Sequence, residues 1–147
     1  MRYRRLAVVI TGCLVAVAVA APLLDSAPVR GPLFTTLRGG SEVPVGDPDG
    51  RGSFTAILHG RTLCFGTTVA HIGRPTAAHI HRGVAGVAGP IVEPLRRPGR
   101  GVAGASSGCT LLTQALADQI RANPRRFYVN VHTGAYPGGA VRGQLRR

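Results

Sequence analysis

The chain has no lysine and no tryptophan, few aromatics and little negative charge. Its 147 residues carry 6 acids against 18 basic residues, all of them arginine, for a formal charge of +12. The missing Lys and scarce Glu disfavour a helical bundle or coiled coil, which draws on Leu, Glu and Lys. Aromatics at 5% leave little to interleave with cations for stacking single-stranded bases. Asp25, Asp47 and Asp49 fall in linker or turn sequence, so carboxylate acid/base catalysis has few candidates. No phosphate loop, Ser/His/Asp order, helix-turn-helix or zinc-finger spacing is present, and no CxxC pair occurs. A disordered chain is disfavoured too, because 44% of residues are hydrophobic and mean hydropathy is +0.14. What the chain has in quantity is Gly, 21, and Pro, 11. Those are the marks of short strands joined by turns, in a length suited to one domain and a short extension.

The extension is N-terminal. Residues 1–5 (MRYRR) are basic, residues 6–20 are an unbroken apolar run, and Ala18-Val19-Ala20 is a small-x-small site. Residues 1–21 therefore read as a signal peptide and residues 22–32 as a linker. Two alternatives also export the domain: a retained membrane anchor, and a loose lipoprotein box at Ile10-Thr11-Gly12-Cys13. With cleavage, three Arg and Cys13 leave, and the remaining charge falls to +9 (15 Arg less 6 acids). Cys64 and Cys109 remain, and two cysteines in an exported domain predict one disulfide. A redox or metal-binding thiolate pair is the competing reading.

Residues 33–147 form the expected domain. Strands are predicted at 33–38, 53–58, 62–69, 76–81, 91–95, 102–106, 127–132 and 140–145, with a hairpin turn at His59-Gly60-Arg61. Residues 111–122 have helical spacing at Leu112, Ala115, Leu116 and Ile120, with Thr110 or Thr113 as cap and Asn123-Pro124 as stop. Eight short strands with one short helix predict an all-β, antiparallel Greek-key or immunoglobulin-like β-sandwich.

Strand parity then sorts the polar residues. If Ala78, Ile80, Phe127, Val129, Val131, Val141 and Leu145 face the core, the opposite face gathers His79, His81, Tyr128, Asn130, His132, Arg142 and Gln144. His-x-His places two imidazoles about 6.6 Å apart along one strand face. A third from a neighbouring strand would complete a three-nitrogen site for copper or zinc with one position open. Structural hydrogen bonding of the same histidines is the competing reading, and a bound ligand is a third. Glu42 could pair with Arg142 or orient a histidine. His59 and His71 lie in or beside turns and read as surface residues.

The stretches LRGGSEVP (37–44), TAAHIHRG (76–83), GVAGP (86–90) and FYVNVHTGAYPGGAVRGQL (127–145) together resemble the chordin-type (CHRD) domain of secreted bacterial and animal proteins. The resemblance spans residues 33–145. It implies an extracellular β-sandwich with no established catalytic activity, and its bacterial forms often carry cysteines at the places of Cys64 and Cys109. The family usually has Gln before the Glu and a second Pro after Glu-Val-Pro, where this chain has Ser41 and Val45. The 76–81 strand is also similar to the His-x-His strand of copper/zinc superoxide dismutases, whose further histidines and bridging aspartate have no clear counterparts here.

The sequence thus points to an exported, non-catalytic binding domain centred on His79, His81 and His132. A small copper- or zinc-dependent redox protein and a purely structural cell-envelope domain are the alternatives. The arginine excess suits an anionic cell-surface polymer or an extracellular protein as partner, and not nucleic acid, which export removes. Membrane contact is expected only through an uncleaved N-terminal segment.

Overall fold

The computed structural model describes residues 31–99 and 103–147. The segments read as signal peptide and most of the linker lie outside the described residues. Eight strands follow in chain order: β1 Leu33–Arg38, β2 Arg51–His59, β3 Thr62–Ala70, β4 Pro75–Arg82, β5 Ile91–Leu95, β6 Ala103–Leu111, β7 Phe127–Thr133 and β8 Val141–Gln144. Helix α1, Gln114–Ala122, lies between β6 and β7. All pairings are antiparallel, and the strands form one sheet ordered β5-β4-β7-β8-β1-β2-β3-β6.

That sheet curls until its two edge strands meet, making a nearly closed barrel. The seam between β5 and β6 is joined by other means than a ladder. Thr110 donates to Glu93 at 2.5 Å, Ser106 Oγ donates to the Arg96 carbonyl at 2.8 Å, and Gly99 N–H donates to the Ala105 carbonyl at 2.9 Å. The all-β antiparallel architecture with one helix is as the sequence indicates. Among the described residues, however, its hydrogen bonding runs through one continuous sheet of eight strands.

Alternation supplies the core. β1 and β3 bury every second residue (Leu33, Thr35, Leu37; Leu63, Phe65, Thr67, Val69), and Phe54 of β2 stacks on Phe65 at 5.9 Å. The β2–β3 hairpin turns through Gly60 at φ +53, a left-handed conformation that glycine adopts without strain. The helix starts three residues later than its spacing suggested. Thr113 Oγ1 caps it by accepting from Leu116 N–H at 3.2 Å, while Leu111 ends β6 and stays 65% exposed. Leu116, Ala117 and Ile120 then plug one end of the barrel. β6 runs past its expected end at 106 because it pairs with β3 along its whole length. That register sets Cys109 opposite Cys64, and the two are joined by a disulfide with S–S 2.09 Å.

Candidate metal centre

β7 is the strand to which the site is fastened. It is buried on both faces, unlike a surface strand. One face enters the core through Phe127, Val129 and Val131. The other meets β4 and β8 in register: His79 opposite Asn130 and Asn130 opposite Arg142, then His81 opposite Tyr128 and Tyr128 opposite Gln144. His132 lies one step further along β7, opposite Ala77. The seven polar residues that parity assigned to one face are therefore neighbours in space. Loops 83–90 and 134–139 roof them, which explains why His81, Asn130 and Arg142 are buried.

The roof fixes the imidazoles. His81 Nδ1 lies 2.8 Å from the Gly89 carbonyl, and His132 Nδ1 lies 2.9 Å from the Pro137 carbonyl. A carbonyl oxygen can only accept, so His81 Nδ1 carries the proton of its neutral ring and His81 Nε2 keeps its lone pair. His81 Nε2 is buried and has no hydrogen-bond partner among the described residues. His132 meets an accepting oxygen at each nitrogen, the Pro137 carbonyl at Nδ1 and Asn130 Oδ1 at Nε2, and His79 Nδ1 also lies 3.1 Å from that Nε2. One ligand nitrogen from each of the three rings falls within 4.8 Å of the others. A tetrahedral ion at roughly 2.0–2.1 Å holds its nitrogens about 3.3 Å apart. The His79–His132 pair is already near that spacing, and modest side-chain rotation brings in the third.

Electrostatics favour neutral rings. Burial lowers His79 to about 4, helped by the neighbouring His132 and His81, and burial lowers His81 too against the Gly89 hydrogen bond. Neutral imidazole is the form that ligates. A cation would take the place of the proton that His79 and His132 share.

The remaining polar residues support this arrangement. The Arg142 guanidinium, 2% exposed, lies 3.4 Å over the Tyr128 ring, and Nη2 donates to the Val84 and Val87 carbonyls at 3.0 and 2.9 Å. Tyr128 stacks in turn on His81 at 4.7 Å, and its hydroxyl accepts from Gly89 N–H at 3.1 Å. Gln144 Nε2 faces the carbonyls of Gly83, Arg125 and Phe127 at 2.6 to 3.0 Å. Glu42, 5% exposed, is raised to about 7 by burial, against the attraction of Arg142 and hydrogen bonds from Val43 N–H and Asn130. It packs where Gly139, at φ +143, has no side chain, and a Cβ there would collide with the carboxylate. His59 and His71 are exposed and away from the site.

Sequence reasoning missed Gly89, Pro137 and Gly139. The first two act through main-chain carbonyls and the third through the space it leaves. The available signal was indirect: ring nitrogens facing a metal need acceptors for their other N–H, and the adjoining Gly/Pro loops are the nearest source.

The model of the CHRD domain family matches residues 33–145, and the chain belongs to that family. Neither the curated proteins nor the solved structures searched contain a match to it. Among the described residues, no helix is long and apolar enough to cross a membrane, and the Cys64–Cys109 disulfide is compatible with an oxidising compartment.

Proposed function

We propose that this chain is an exported, non-catalytic CHRD-family binding domain that holds a copper or zinc ion on His79, His81 and His132. One observation carries the reading: two imidazoles are pinned through Nδ1 to loop carbonyls, and one nitrogen from each of the three rings lies within 4.8 Å of the others. That is the outer-shell arrangement by which proteins orient histidine ligands. The ion would offer an external ligand one open position on the side of His79, the most exposed of the three rings. Counting β5 and β6 as neighbours across the seam, the order β7-β4-β5-β6 matches a Greek key, which supports that reading of the barrel. The disulfide and the signal-like N-terminus support a location outside the cytoplasm.

The test is titration of chelator-treated protein with copper(II) or zinc(II), wild type against His79→Ala/His132→Ala. One ion per chain at micromolar concentration, lost in the variant, is the expected result. No binding by the wild type overturns the reading and leaves the structural envelope domain. Dismutase or oxidase turnover by the copper-loaded protein moves it to the redox alternative.

A further inference from the structure

Arginines far apart in sequence gather at the end of the barrel that α1 closes. Arg82 ends β4, Arg121 occupies the last turn of α1, and Arg125 and Arg126 form the short 3-10 turn before β7. Arg146 and Arg147 follow β8. Contacts across these elements hold the group together. Arg82 Nη2 donates to Gln119 Oε1 at 2.7 Å, Arg147 Nη1 donates to the Arg121 carbonyl at 2.8 Å, and Arg146 lies 5.5 Å over the Phe34 ring. Arg82 and Arg126 border a depression of about 340 Å³ whose floor and walls include Phe127, Gln119 and Asn123. The acids nearby are engaged: Asp118 pairs with Arg121 at 2.7 Å, and Glu93 accepts from Thr110.

We propose that this end binds a linear acidic polysaccharide, a carbohydrate chain bearing carboxylate or sulfate groups. Guanidinium forks match such oxyanions in bidentate fashion, which a set of lysines would not. The Gln119 amide keeps its N–H2 free after accepting from Arg82, and with Asn123 it supplies the neutral donors and acceptors that sugar hydroxyls use. A lipid surface fits less well. Membrane-lying helices present an apolar face, and the apolar residues of α1 (Leu116, Ala117, Ile120) are spent in the core. Arg82 follows His81 in β4, but its side chain turns to α1, and the surface needs no metal.

The test uses the purified protein with immobilised heparin and with soluble polygalacturonate, at about 0.15 M ionic strength, with and without chelator. Arg82→Gln/Arg126→Gln is compared with Arg51→Gln/Arg74→Gln, which removes the same charge from other surfaces. All substituted residues are exposed, and melting curves confirm that each variant folds. The expected result is a loss of about tenfold or more in affinity for the first variant and less than about twofold for the second, unaffected by chelator. Equal losses in both would mean that net charge alone acts, and would overturn the assignment. No binding by the wild type would also overturn it, as would equal or tighter binding to phosphatidylglycerol vesicles or duplex DNA.

Discussion

Replacing Gly89 by alanine should weaken metal binding without touching a ligand. The Gly89 carbonyl accepts from His81 Nδ1 at 2.8 Å, and its N–H donates to the Tyr128 hydroxyl at 3.1 Å. A Cβ at this position would fall on the Arg82 carbonyl oxygen, so the loop must move and carry the Gly89 carbonyl with it. His81 is 8% exposed, and stranding its N–H there costs about 1–3 kcal/mol of stability. Freed from its anchor, the ring no longer presents Nε2 in a fixed direction. Loss of an outer-shell partner typically lowers metal affinity 10–100-fold, or about 1.4–2.7 kcal/mol. Competition titration against a chromophoric chelator at pH 7.5 measures the affinity, and thermal melts of the metal-free protein measure the fold. We expect both to fall, the melting temperature by roughly 5–15 °C. Affinity within about twofold of wild type, in a protein whose melting temperature has dropped, would refute the orienting role of the loop.

Two further outcomes follow from the buried ionisable groups and the disulfide. His79 titrates near 4 when folded against 6.5 otherwise, so its contribution is complete above pH 6.5 and is lost as pH falls through 4; allowing for partial solvent screening, this is about 1–2 kcal/mol. Glu42 titrates near 7 when folded, so its contribution is present below 4.5 and is lost as pH rises through 7, by on the order of 2 kcal/mol. Urea denaturation across pH 4–8 should therefore show His79→Gln flattening the acid limb and Glu42→Gln flattening the neutral one; unchanged limbs would contradict the burial of these groups. Cys64→Ser/Cys109→Ser opens a bridge between cysteines 45 positions apart and should cost about 3–4 kcal/mol, read as a matching drop between oxidised wild type and variant in denaturant midpoint.

Much of the fold was legible because its signals are local. β1 and β3 alternate buried and exposed residues along their length, and β5 has its predicted bounds. The boundary at Leu111 was misread because Leu112, Leu116 and Ile120 satisfy a helical period, while a long-range partner, β3, claims Leu111 for the sheet. Likewise, the grouping of His79, His81 and His132 needed only strand parity. Their orientation did not follow from parity, since it depends on carbonyls that every residue possesses and on loops whose paths no periodicity encodes. The arginines show the same limit in reverse. Arg82, Arg126 and Arg147 look scattered along the chain, and only the packing of α1 across the barrel end brings them to one surface.

The seam between β5 and β6 has a mechanical consequence for the histidines. A fully hydrogen-bonded barrel is a hoop, and changing its girth means breaking ladder bonds. Here the hoop is split and clasped by a few isolated contacts, such as Ser106 to Arg96 and Thr110 to Glu93. β4 is one strand in from that split, since His79 faces Pro94 of the edge strand β5. The small inward shift that drawing three rings around one ion requires can thus be taken up as compliance in the clasp, leaving the backbone ladder between β4 and β7 whole.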